Sequence, residues 1–345
     1  MEDVLESNPL NHKLLEDAWR VFCVYDRTAI ATQKRFLNFR IAILIVGVVS
    51  TILVVLKAQW DKYPVGLGGV NDSIKQVIPI LGYGFYGLVI IAPIAVSILL
   101  AASVKLDRGM NWVILRASAE VLKKDIYCYR TLYDAKDADM HLAESIQIVS
   151  DRLMKTQVNR SGLALDSGLE IGSRELLKAI KNNICREDTE PFFPLTIEQY
   201  LEYRLIDQLS WYRRKTVKLD RQWQRLQWSI YIWGGLGTFL AAIRAEIWIA
   251  ITNAIATAIA SFLDFKQLDS TMMCYNQAAC NLENLLCWWH ALTDGARTNP
   301  ENIKKLVNSA EKVIQSETSS WVEEMREALS ELYKENEKSE EKEEH

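Results

Sequence analysis

Four long stretches of this sequence contain no charged residue, although charged side chains make up 24% of the chain. They are residues 41–56, 77–104, 228–243 and 247–263. A helix buried on one side keeps charge on the other, so runs apolar on every face exclude ordinary surface helices. Cysteine is missing from all four. Cys23, Cys128, Cys185, Cys274, Cys280 and Cys287 lie in charged, cytosol-like segments, which predicts reduced thiols rather than disulfides. Residues 1–17 lack a basic region and an apolar core, which predicts no cleavable leader. A strong net charge is lacking as well. The total is -4, and residues 331–345 alone hold seven Glu against three Lys, so the remainder is formally neutral. Nothing in that balance predicts a nucleic-acid partner.

Catalytic signatures are also absent. There is no H-E-x-x-H, no P-loop and no Ser–His–Asp constellation. Cys280, Cys287 and His290 share a helix face at spacings of seven and three, but a fourth metal ligand is missing. Gly82-Tyr83-Gly84 invites comparison with a potassium filter, yet Ile80-Leu81 stand where Thr-Val leads such a filter. Close helix packing accounts for these glycines instead. No enzyme, cofactor or metal is therefore expected.

What is present is membrane patterning. A spanning helix needs ~20 apolar residues, with a range of roughly 17–25. Three blocks are shorter than that, and flanking Arg40, Lys57, Arg244, Trp228, Trp233 and Trp248 extend them at the interface. The second block is overlong and carries Pro79 and Pro93, so a kink or a re-entrant turn are both open. Only Arg244, Ala245 and Glu246 separate the last two blocks, which forces an antiparallel hairpin. Basic residues gather at the outer ends of both hairpins: Arg27, Lys34, Arg35 and Arg40; Lys105, Arg108 and Arg116; Arg213, Arg214, Lys215 and Lys218. The expected fold is therefore an all-α membrane protein with two transmembrane helical hairpins, four spans, and long cytoplasmic helices. Both termini face the cytoplasm of a cytoplasmic (inner) membrane.

The halves also align. At an offset of 187, Tyr25 meets Tyr212, Arg27 meets Arg214, Phe36 meets Trp223 and Gly47 meets Gly234. At 160, Ala119 meets Ala279, Leu122 meets Leu282, Ile126 meets Leu286 and Tyr129 meets Trp289. The expected organisation is a first hairpin unit (1–134), a cytoplasmic linker (135–195), a second hairpin unit (196–334) and a solvated charged tail without fold (335–345). Thr196 and Gln199 form a capping-box pattern opening a helix that runs into the third block. Another helix starts after Pro300, with Ile303, Val307, Ala310, Ile314, Trp321 and Met325 at coiled-coil-like spacing. That seam fits self-association and packing on its own chain equally.

The run Gln208, Leu209, Trp211, Tyr212, Arg213, Arg214, Lys215, the pair Trp288–Trp289, and Leu306, Val307, Glu311, Glu317 and Trp321 resemble the SLATT family. These are bacterial two-transmembrane effector domains with cytoplasmic helices. The resemblance covers roughly residues 196–333 and reaches the first unit more loosely, where Val24 replaces a tryptophan and Asp26 an arginine. It implies a membrane effector that oligomerises into a pore, acting in bacterial signalling or defence.

Two groups of residues carry the functional expectation. At 100° per residue, Glu246, Ala250, Asn253, Thr257, Ser261 and Asp264 fall within an arc of about 80°. Polar groups at bilayer depth need protein or water before them. Such a stripe fits a water-filled path for inorganic cations, and it also fits a small-residue helix seam, a use that small polar stripes serve very often. Trp211, Tyr212, Arg213, Arg214 and Lys215 are expected at the membrane interface, with the cations near anionic headgroups. The expected partners are the bilayer, further copies of the chain and inorganic cations. The alternative is a membrane-anchored scaffold whose cytoplasmic helices recruit a protein.

Overall fold

Helix accounts for all the regular structure in the computed structural model, which describes residues 10–62, 84, 86–100, 108–133, 137–154 and 173–343. The elements are α1 (His12–Lys62), α2 (Tyr86–Leu100), α3 (Arg108–Thr131), α4 (Ala138–Met154), α5 (Ser173–Lys181) and α6 (Ile197–Tyr200). A π-helical segment (Leu201–Ile206) follows, then α7 (Asp207–Ala242), α8 (Glu246–Lys266), α9 (Leu268–Ala291), α10 (Asp294–Arg297) and α11 (Pro300–Glu343). The loop after Lys62, Pro79, Gly82–Tyr83, the remainder of the second apolar block and residues 155–172 lie outside the described residues.

The chain divides into two compact units that cut across the expected boundaries. Unit 1 collects residues 1–34, 108–219 and 269–327; unit 2 collects 35–107, 220–268 and 328–345. Each sequence half thus supplies both units, because flanking amphipathic helices bury their apolar stripes together while the apolar runs segregate.

Unit 1 has an ordinary buried core. Leu15, Trp19 and Phe22 of α1 join Leu115, Leu122 and Ile126 of α3, Tyr200, Leu205 and Tyr212 of the α6–α7 helix, Leu282 and Trp289 of α9, and Leu306, Val307, Ala310 and Ile314 of α11. The first half of the α11 seam is therefore consumed by its own chain. The linker end is fixed by Arg130, which donates to both carboxylate oxygens of Asp188 at 2.6 and 3.0 Å and to the carbonyls of Glu190 and Phe193. Trp19 Nε1 donates to the Pro191 carbonyl at 3.1 Å. The capping box forms as expected, with Thr196 and Gln199 each bonding the other's backbone N–H.

Aligned positions of the two halves share environments. Tyr25 and Tyr212, Ala119 and Ala279, Leu122 and Leu282, and Tyr129 and Trp289 are all buried. Arg213 pairs with Glu283 at 2.7 Å. The matching positions in the first half hold Asp26 and Lys123, with signs exchanged, but they do not pair in the same way: Asp26 bonds Arg116 and Lys123 donates to the Asn183 carbonyl.

Unit 2 inverts the usual burial. Ile45, Val49 and Val54 of α1, Ile91, Ile94 and Ile98 of α2, and Trp228, Ile232, Phe239 and Ile243 of α7 are all exposed. Among the described residues, two segments are long and apolar enough to cross a membrane: His12–Gln59 and Glu246–Ala291. Only 11% and 6% of their most apolar windows are buried, which excludes core helices of a soluble domain. The structure thus gives two such helices where the sequence suggested four. Tyr86–Leu100 is apolar but shorter. The third block falls short because Trp228, Tyr231, Trp233, Gly234, Gly235, Gly237 and Thr238 lower its hydropathy.

The charged tail also differs from expectation. Helix α11 continues to Glu343, through a segment rich in Glu and Lys, which are good helix formers.

Candidate functional site

The second hairpin turns tightly. After Ala242 the chain closes with Ala245 N–H donating to the Leu240 carbonyl at 2.9 Å and Arg244 N–H to the Ala241 carbonyl at 3.1 Å. This is a Schellman closure, with Arg244 at φ 57° in the left-handed position that glycine usually fills. Helix α8 then returns against α7. They pack tightly at Gly237, where a Cβ would lie 2.9 Å from Thr252 Oγ1 and 3.6 Å from Asn253 Oδ1. Thr252 is buried at this point and donates its hydroxyl to the Ile249 carbonyl at 2.8 Å. Phe36 of α1 stacks on Phe265 at 5.5 Å, covering another part of α8.

These contacts leave one face of α8 bare. Seven of its residues are exposed: Glu246, Trp248, Ala250, Asn253, Thr257, Ser261 and Asp264. Six of the seven are the polar stripe, while the intervening isoleucines and Phe262 are half-buried. Glu246 and Asp264 are eighteen residues apart, which is about 27 Å along a helix, close to the ~30 Å hydrocarbon thickness. The stripe therefore carries an acid at each end and Asn253, Thr257 and Ser261 between them. Gly237 and Thr252 were not singled out by sequence reasoning, although the glycine cluster on α7 was a visible sign of close packing.

The aromatic-basic run lies near the start of α7. Tyr212 is fully buried in the unit 1 core and donates its hydroxyl to Glu317 at 3.1 Å. Trp211 stacks on Tyr212 and Tyr275, Lys215 lies 5.9 Å over the Trp211 ring, and Arg213 is held by Glu283. Lys215 is thirteen residues before Trp228, about 20 Å along α7. Tyr212 therefore packs in the core of unit 1. Arg214 is exposed.

Unit 1 also encloses a polar centre. Arg204, on the π-helical segment, donates Nε and Nη2 to the two oxygens of Glu311 at 2.9 and 2.8 Å. Tyr200 adds a third bond to Glu311 at 3.0 Å, and the guanidinium lies 4.7 Å over the Tyr127 ring. Arg116 bonds Asp26 and Glu120. Burial works against the Glu120 charge, but Arg116 holds its carboxyl below the usual range. Burial pushes Lys123 down to about 8 and Glu317 up to about 7. Glu317 lines a groove of about 380 Å³ between α9 and α11, with Gln277, Asn281, Lys312 and Ser316. Arg116 and Glu120 are an i,i+4 pair, but sequence alone could not join Arg204 to Glu311 or Arg116 to Asp26, which lie far apart along the chain.

No curated protein and no solved structure matches the chain. Residues 200–321 match the family model SLATT_1, the SMODS and SLOG-associating 2TM effector domain 1. That interval spans α7, the hairpin turn, the striped α8, α9 and most of the packed part of α11. With the exposed apolar helices of unit 2, it makes this a membrane protein. Residues 200–321 thus belong to the SLATT family, whose model describes a two-transmembrane effector domain.

Proposed function

We propose that the protein is a non-enzymatic, multi-pass effector of a bacterial inner membrane whose copies assemble into a cation-favouring pore. The observation that carries this reading is the bare stripe on α8. Its polar side chains are exposed, on a helix apolar and long enough to lie at bilayer depth. Lipid is a costly neighbour for Asn253, Thr257 and the flanking acids, so several copies would gather this face around water. Rings of Glu246 and Asp264 at the two ends of the path would concentrate cations and repel anions.

The same reading has four spans, with the third and fourth forming the SLATT hairpin. The first half is a diverged second copy, supported by the matching burial of aligned core positions and by Asp26 and Lys123 carrying the signs of Arg213 and Glu283 exchanged. Basic residues at the outer ends of both hairpins favour cytoplasmic termini and an outward-facing Arg244 turn. The scaffold reading keeps one specific support, the α9–α11 groove, which offers a partner helix a partly polar seat.

Reconstitution into liposomes tests the proposal. An oligomer that passes cations in preference to anions, with Asp264→Asn and Glu246→Gln reducing that preference, supports the pore. A folded monomer, or an oligomer silent with candidate activators, supports the scaffold.

A further inference from the structure

The pore reading assigns its wall to α8, but the hairpin geometry places part of α7 on the same side. The two helices run antiparallel and touch at Gly237 and Thr252. Viewed along α7 from its N-terminus, successive residues turn clockwise by about 100°; in that view those of α8 turn counterclockwise. Measured from the contact, Gly234, Thr238 and Gly235 fall about 60°, 100° and 160° around α7. Asn253, Glu246, Thr257 and Ser261 fall about 100°, 120°, 140° and 180° around α8. Opposite senses of turn on facing helices bring both sweeps to one side of the hairpin.

The other side is built differently. Trp228, Ile232, Leu236, Phe239 and Ile243 lie about 180–260° around α7 and are 40–65% exposed. Phe265, held by Phe36, lies about 220° around α8, away from the stripe. The hairpin is therefore two-faced. One face is bulky and apolar. The other is mostly small and polar, with Gly234, Gly235, Thr238, Asn253 and Thr257 exposed on it; Tyr231, about 120° around α7 and 57% exposed, is a bulky residue on this same face, near the start of the third apolar block.

We infer that the path is lined by both helices of the second hairpin, with Thr238 and the backbone at Gly234–Gly235 facing the same water as Asn253 and Thr257. This rests on the pore reading and adds to it a second wall. The glycines leave backbone beside the water where side chains would otherwise narrow the path, and Thr238 supplies a hydroxyl, although it donates to the Gly234 carbonyl in the single chain. The bulky face meets lipid.

Single cysteines at Thr238, Phe239, Ile232 and Thr257, in the full chain in membranes, test this with a charged, membrane-impermeant thiosulfonate. Peptide mass identifies the labelled position, so the six native cysteines do not interfere. All four sites are exposed in the single chain, and each variant is first checked for wild-type assembly size. Labelling of Thr238→Cys and Thr257→Cys, with Phe239→Cys and Ile232→Cys protected, supports the inference. Labelling of Thr257→Cys with Thr238→Cys protected overturns it and leaves the α8 path standing. Labelling of Phe239→Cys or Ile232→Cys as fast as Thr238→Cys overturns the assignment of faces. Protection of both Thr238→Cys and Thr257→Cys defeats the pore reading itself, and the inference with it.

Discussion

Arg204 and Glu311, 107 residues apart, meet as a buried pair in which both carboxylate oxygens are engaged. Each side chain is about as enclosed as a core leucine, at 3% and 2% exposure. The pair joins the π-helical start of α7 to α11, and Tyr200 and Tyr127 complete its shell. Removing one partner strands the other charge in the core. Arg204→Ala and Glu311→Ala should each destabilise unit 1 by about 3–5 kcal/mol, read by thermal or denaturant unfolding in detergent. Replacing both with Met and Leu should cost less than either single change, because no uncompensated charge remains. Equal or greater loss in the double variant would show that the pair does more than neutralise itself.

A second prediction concerns the hairpin seam. An alanine at Gly237 would place its Cβ 2.9 Å from Thr252 Oγ1, and β-branched Thr252 has little rotamer freedom to yield. Gly237→Ala should separate α7 from α8 and cost about 1–3 kcal/mol in detergent stability. Adding Thr252→Ala removes the oxygen and leaves the Thr252 Cβ at an ordinary 3.8 Å. The double variant should regain most of the loss. Failure to regain it would mean that the approach is closed by backbone rather than by this hydroxyl.

These two relationships mark the limit of what the sequence disclosed. The capping box at Thr196 and Gln199, the three-residue hairpin turn and the helix after Pro300 follow from local chemistry, and the structure has all three. The exposed stripe was also legible, since helical period alone puts Glu246, Asn253, Thr257 and Asp264 in line. The partners of Arg130, Arg204 and Glu317 were not, because nothing near an arginine in sequence names a carboxylate on another helix. An aromatic beside three cations has the composition of an interfacial belt, and nothing in that composition announces the burial of Tyr212. Only the tertiary contact with Glu317 shows that its hydroxyl points inward. The tail was given no fold on charge alone, while Glu–Lys spacing on a helix already under way was enough to prolong it.

The third prediction is a pH dependence centred on Glu317. Burial raises its carboxyl from 4.5 to about 7, against the lowering effects of the Tyr212 hydroxyl and Arg116, with Glu120 adding to the rise. Tyr275 of α9 also faces it. An acid with a raised folded pKa binds its proton more tightly when folded, so it favours the fold while protonated. That contribution is complete below about pH 4.5 and is lost as pH rises toward and through 7. Unit 1 should therefore lose stability across this window, and Glu317→Gln should flatten that part of the profile. Lys123, lowered to about 8, changes charge above the window, and Glu120, held low, changes below it. A slope between pH 4.5 and 7 that is unchanged in Glu317→Gln would assign the titration elsewhere.

The last prediction separates the two uses of the α8 stripe. Asn253 lies between the acids, seven residues after Glu246 and eleven before Asp264, exposed, with its Oδ1 3.6 Å from where a Gly237 Cβ would stand. If the stripe lines water, Asn253→Leu puts a branched apolar group into the middle of the path. A constriction of that kind gates by dewetting, so cation flux through reconstituted oligomers should fall sharply while assembly size stays the same. Detergent stability should change little, or rise, because an amide at membrane depth is replaced by a group that lipid and apolar neighbours accept. If the stripe is a seam between copies, the same change removes an interhelical hydrogen bond worth about 0.6–2 kcal/mol. The oligomer should then loosen, and no flux exists to be lost. Asn253→Ser discriminates further, since a small hydroxyl keeps a path wet but cannot span a seam as the longer amide does. Flux kept by serine and abolished by leucine assigns the stripe to water. Assembly weakened by both assigns it to packing.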